Sequence, residues 1–167
     1  MSWGGARANA GRPAKGPHPS EPHKARPELS AHHPVHVIAR VIPTVGTLRR
    51  RDAYRALRCA LATSLGHADF RVVHLALHRT RLELVVEADD KVALARGMQG
   101  FQVAAARHLN RAARRAGTVF PDRYRPRILI TRAAVRAITR SATHVAWPQT
   151  WLLVSALGPE PAVRSSA

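Results

Sequence analysis

The sequence predicts an α+β domain of the ferredoxin-like type, a split β-α-β with a four-stranded antiparallel sheet. Its helices are expected on one face, with an extra helix at the C-terminal end. Three observations carry this expectation. The periodicity alternates as strand, helix, strand, strand, helix, strand. The two middle strands are joined by only His78-Arg79-Thr80, which makes them a hairpin. The connections on either side of that hairpin are long and amphipathic, as the crossovers of a split β-α-β require.

Each element has a local reason. Val35 to Ile42 (VHVIARVI) is rich in β-branched residues and stops at Pro43, reading as the first strand. Tyr54, Leu57, Leu61 and Leu65 recur at helical spacing and predict a helix over 52–66. Phe70 to Leu77 (FRVVHLAL) and Arg81 to Glu87 (RLELVVE) are the hairpin strands. Asp89 and Asp90 then offer N-caps. Leu94, Met98, Phe101, Ala105, Leu109 and Ala112 form one apolar stripe along the next helix, and Gly117 marks its expected end. Arg127 to Ile130 (RILI) is the fourth strand. Thr131 caps a final helix whose Val135, Ile138, Ala142 and Val145 share a face.

The ends differ from this middle. Residues 1–34 hold half of the 12 prolines and few bulky apolar side chains, so a disordered basic arm is expected there. The patterned domain spans 35–146, and 147–167 reads as a degenerate tail in which Pro148, Pro159 and Pro161 bracket the apolar residues. Cys59 is the single cysteine, which excludes an intrachain disulfide and a Cys-rich zinc site. Its place within a helical apolar pattern predicts an inert core residue. No apolar run approaches the roughly 18 residues of a membrane span, and no signal-type segment opens the chain. A cytoplasmic protein with no membrane partner is expected.

Charge narrows the function. The chain carries 27 Lys and Arg against 10 Asp and Glu, a net charge of +17. Within 35–145 the balance is 21 basic against seven acidic, a net of +14. Such an excess opposes compaction unless a polyanion relieves it, and nucleic acid is the polyanion that fits. Arg96, Arg107, Arg111 and Arg114 lie opposite the apolar stripe of the second helix, and Arg115, Arg123, Arg125 and Arg127 follow in the loop and strand. Arg49, Arg50, Arg51, Arg55 and Arg58 form a second cluster. Tyr124, flanked by arginines, is the candidate for stacking on a base, with a packed loop anchor as the equal alternative.

Several segments together carry a resemblance. They are Ala8-Asn9-Ala10-Gly11-Arg12-Pro13, His33-Pro34-Val35-His36-Val37, Phe70-Arg71-Val72-Val73-His74 and Leu82-Glu83-Leu84-Val85-Val86-Glu87. Arg96-Gly97-Met98-Gln99-Gly100 and Val119-Phe120-Pro121-Asp122-Arg123-Tyr124 complete the set. On these the chain resembles the REP-associated tyrosine transposases, small single-stranded-DNA transposases of the HUH nuclease superfamily. The resemblance implies the same split β-α-β fold, a His-x-His pair on the second hairpin strand that binds Mg²⁺ or Mn²⁺, and a nucleophilic Tyr on the last helix.

Here the chain departs from that pattern. The ligand positions hold Arg81 and Glu83, and a guanidinium has no lone pair for a metal. The nucleophile position falls at or near Ser141, whose hydroxyl lies several ångströms closer to the backbone than a phenol would. A metal site rebuilt from His74 and His78 is disfavoured, because their spacing along a strand is roughly 13 Å. The expectation is a transposase-like protein that binds single-stranded or hairpin DNA without cutting it. No cofactor is expected, with Mg or Mn required only if activity remains. The alternatives are an active transposase with a non-standard metal and nucleophile set, and a decayed gene product without selected function. Oligomeric state is left open.

Overall fold

In the computed structural model, β-branched runs and two long amphipathic segments assemble into one sheet with helices on both faces. The structure describes residues 28–64, 67–140, 142–145 and 149–157. In chain order the elements are β1 (Val35–Arg40), α1 (Arg51–Ser64), β2 (Phe70–Leu77), β3 (Arg81–Ala88), α2 (Lys91–Ala112), β4 (Arg125–Ile128), α3 (Arg132–Thr139), β5 (Thr143–His144) and α4 (Trp151–Leu157). The strands lie in the order β4-β1-β3-β2-β5, and every neighbouring pair is antiparallel. The first four strands therefore have the expected ferredoxin-like arrangement, with β3 inserted between β1 and β2. The two-residue β5 extends the sheet beyond β2.

Strand alternation divides the side chains between two faces. Val35, Val37 and Ala39 of β1 and Leu82, Leu84 and Val86 of β3 face α1 and α2, and all are buried in the main core. The α2 stripe meets them with Leu94, Met98, Phe101, Ala105 and Leu109. A second cluster on the other face joins Val73, Val85 and Leu129 to Val135 of α3 and Leu152 and Leu153 of α4. A bulge between Val72 and His74 shifts the β2 register by one residue. This shift lets Val73 serve the second face while Val72 and Leu75 serve the first.

Helix α2 begins where the carboxylate of Asp90 accepts from Val92 N and Ala93 N, both at 2.7 Å. The helix closes earlier than Gly117: Ala113 is its C-cap, and Arg114 turns the chain with φ 50°. Arg115 N donates to Asn110 O at 2.9 Å, and Gly117 at φ 93° completes the reversal one turn later.

Three expectations about chain organisation change. Packing starts before residue 35, since Leu29 is buried in the main core; residues 1–27 of the expected arm lie outside the described residues. The final helix stops at Thr139 instead of carrying Ala142 and Val145 on its face. The β-branched Thr143 and Val145 pair instead with the open edge of β2, and Val145 N donates to Val73 O at 2.8 Å. Part of the expected degenerate tail is ordered as α4. The buried carboxylate of Glu87 accepts from Gln149 N at 2.8 Å and Thr150 N at 2.7 Å, which fixes the entry of that helix. No helix among the described residues is long and apolar enough to cross a membrane.

Candidate nucleic-acid interface

The arginines singled out from the sequence do not form one patch. Those of α2 stand on the helix side of the sheet, whereas β4 carries its own to the opposite face. Arg107 and Arg111 are exposed on α2, and Arg114 is exposed just past its end. Arg127 lies across from His36 in the β1–β4 register, and Arg125 across from Ile38. Directly opposed residues share a face, and Val35 and Val37 already point into the main core. Arg125 and Arg127 therefore share the second face with His36 and Ile38. Arg123, exposed in the connecting loop, lines a groove beside α2.

Two of the expected contact residues also have structural tasks. Arg115 is half-buried and clamps the loop after α2, donating to Asn110 Oδ1 at 2.6 Å and to Thr118 O at 3.1 Å. Asn110 completes the clamp through Gly117 O at 2.8 Å. Tyr124 packs into the main core, as a loop anchor does, and its remaining surface lines the groove between α2 and the following loop. Cys59, expected in the core, is exposed on α1.

The part of the second face left open by α3 and α4 holds a cluster centred on Glu83. Its Oε1 lies 3.0 Å from Arg81 Nε and 3.0 Å from His78 Nε2. Its Oε2 accepts from His36 Nε2 at 3.2 Å. Arg81 and Glu83 thus form an ion pair with each other. Among the described residues, no group of three His, Cys, Asp or Glu side chains could hold a metal ion. The two imidazoles address different oxygens of the one carboxylate. Burial lowers the pKa of His36 from its ordinary 6.5 and outweighs the opposing hydrogen bond and attraction of Glu83; Arg127 and Arg81 add to the lowering.

Sequence reasoning overlooked His36 as a member of this cluster. Its signal was phase: His36 lies out of step with Val35 and Val37, as Glu83 lies out of step with Leu82 and Leu84. Of the residues weighed earlier as metal ligands, His78 reaches Glu83. Ser141, the position matched to the nucleophile, lies outside the described residues.

The basic surface has few internal anions to neutralise it. No ion pair among the described residues engages Arg107, Arg111, Arg114 or Arg127. Arg96 is the exception within the α2 set, bound to Asp69. In the α1 cluster, Arg50 pairs with Asp52 at 3.6 Å, and both side chains are well exposed.

Comparison with known proteins adds a structural likeness. No protein-family profile matches the chain, and no curated protein does. Among solved structures, the chain is similar to a candidate transposase from Deinococcus radiodurans R1, with 13% sequence identity and a TM-score of 0.46. The likeness covers 72% of this chain and 94% of that one.

Proposed function

We propose that this chain is a transposase-like nucleic-acid-binding protein that holds single-stranded or hairpin DNA and does not cleave it. The reading is carried by one observation: Arg107 and Arg111 of α2, Arg114 just past its end and Arg127 of β4 are exposed, and no ion pair among the described residues engages them. A cation at a phosphate releases condensed counterions, so arginines without internal partners are the ones available for that exchange. Loss of cleavage is supported by the Arg81–Glu83 ion pair at the positions where the resembled family places its metal ligands.

Affinity measured against salt tests the binding. Log affinity is expected to fall linearly with log salt, with about 0.7 of slope per phosphate contact on a single strand. Arg107→Ala, Arg111→Ala and Arg127→Ala should each flatten the slope by roughly one contact and weaken all sequences alike. Absence of binding at low salt would leave the decayed product. Incubation with hairpin DNA and Mn²⁺ tests the second half of the reading. No covalent adduct is expected, and an adduct would reinstate the enzyme.

A further inference from the structure

A groove of about 640 Å³ runs between the exposed flank of α2 and the loop that follows it. Ala95, Gln99, Val103 and Ala106 form one wall, because their spacing places them in a single row along the helix. Phe120 and Pro121 form the other wall. The volume lies within the roughly 300–1,000 Å³ of small-ligand clefts. Val103 is 46% exposed and Val92, in the same row, 60%. This is apolar surface that the fold leaves uncovered.

We propose that this groove receives an unpaired nucleobase of the bound strand. The inference rests on the nucleic-acid reading and adds a site to it. Three features select this occupant. The walls are apolar, as the faces of a base require, while the carboxamides of Gln99 and Gln102 each bring a donor and an acceptor for its edge. Arg123 lines the groove together with Asp122, and the exposed Arg107 follows the wall residue Ala106 on α2, so Arg107 adds a cation on the helix that forms this wall for the strand's phosphates. A second copy of the chain is disfavoured, because its own Arg107, Arg111 and Arg123 would be brought against these. A base within a duplex is stacked on both sides and cannot enter without unstacking, so the groove selects single-stranded segments.

The test compares a fluorescent single strand with the same sugar-phosphate chain made abasic, by anisotropy at low salt. The wild-type protein is expected to prefer the strand with bases about tenfold, the scale of one base contact. Ala106→Trp fills the groove and should abolish this preference while leaving abasic binding and its salt slope unchanged. If that variant fails to fold, Gln99→Trp fills the same space from an exposed position. Equal wild-type affinity for both strands, or a preference that survives the filled groove, overturns the inference and leaves the binding function standing. Failure to bind either strand overturns the function itself. A concentration-dependent dimer dissolved by Ala106→Trp would assign the groove to a second copy and overturn the base site.

Discussion

Gly97 marks the closest approach of α2 to the sheet. A Cβ built there would stand 2.1 Å from Cγ of Phe70, a ring that is fully enclosed and has no room to retreat. Overpacking of this kind costs about 1–3 kcal/mol, so Gly97→Ala should lower the denaturant midpoint accordingly. Phe70→Leu in the same chain should recover part of the loss, and strictly additive effects would show that the two sites do not touch. His36 supplies a pH dependence. Its folded-state pKa lies below the ordinary 6.5, so the unfolded chain binds the proton more readily. This contribution is complete above about 6.5 and is lost as the pH falls through the lower folded value. Thermal stability should therefore decline between neutral and mildly acidic pH, and His36→Gln should make the decline shallower. An unchanged profile in the variant would remove His36 as its source. Residue-level legibility depended on phase. Cys59 lies about 200° around α1 from Leu57, which places it on the solvent side, and mere membership of a helical run concealed that. His36 needed the register between β1 and β3, which no single strand contains.

Elements with their own periodicity or capping residue were readable from the sequence. Asp90 and Thr131 cap α2 and α3 as expected, with Thr131 Oγ1 accepting from Ala134 N at 3.2 Å. The hairpin closes across His78-Arg79-Thr80, where His78 N donates to Arg81 O at 2.9 Å. Helix α4 was not legible, because its burial rests on the adjacent pair Leu152 and Leu153 and not on a repeating stripe. Its seven residues are too few to form alone in water. What holds it is tertiary: the second core below and the Glu87 carboxylate at its entry. Glu87→Ala would leave the amides of Gln149 and Thr150 without their acceptor, a loss of about 1–3 kcal/mol at the buried Thr150. Amides of α4 should then exchange with solvent much faster while those of β2 and β3 stay protected. Equal protection of α4 in the variant would mean that the Leu152–Leu153 contact alone seats the helix.

At the scale of the whole molecule, the sheet separates two basic surfaces that a linear reading had merged. One is the α2 side with Arg107, Arg111 and Arg114; the other is the open sheet face with Arg81, Arg125 and Arg127. A strand of nucleic acid can follow the first without meeting a carboxylate from the Glu83 cluster. On the second it meets Glu83, whose charge occupies the donors of Arg81, His36 and His78 that a phosphate would use. Replacing that charge therefore reports which face the strand uses. Glu83→Gln keeps the shape of the side chain and an oxygen for Arg81 Nε, so the sheet should fold as before. If the strand crosses the open face, affinity should rise and its dependence on salt should steepen by about one phosphate contact, near 0.7 in slope for a single strand. Arg127→Ala should then act against that gain. If the strand keeps to α2, Glu83→Gln should leave affinity almost unchanged, since exposed charges more than about 8–10 Å apart are largely screened at physiological salt. Arg107→Ala and Arg111→Ala would then account for the flattening alone. For the binding function proposed above, the two outcomes assign the strand to one side of the sheet or the other.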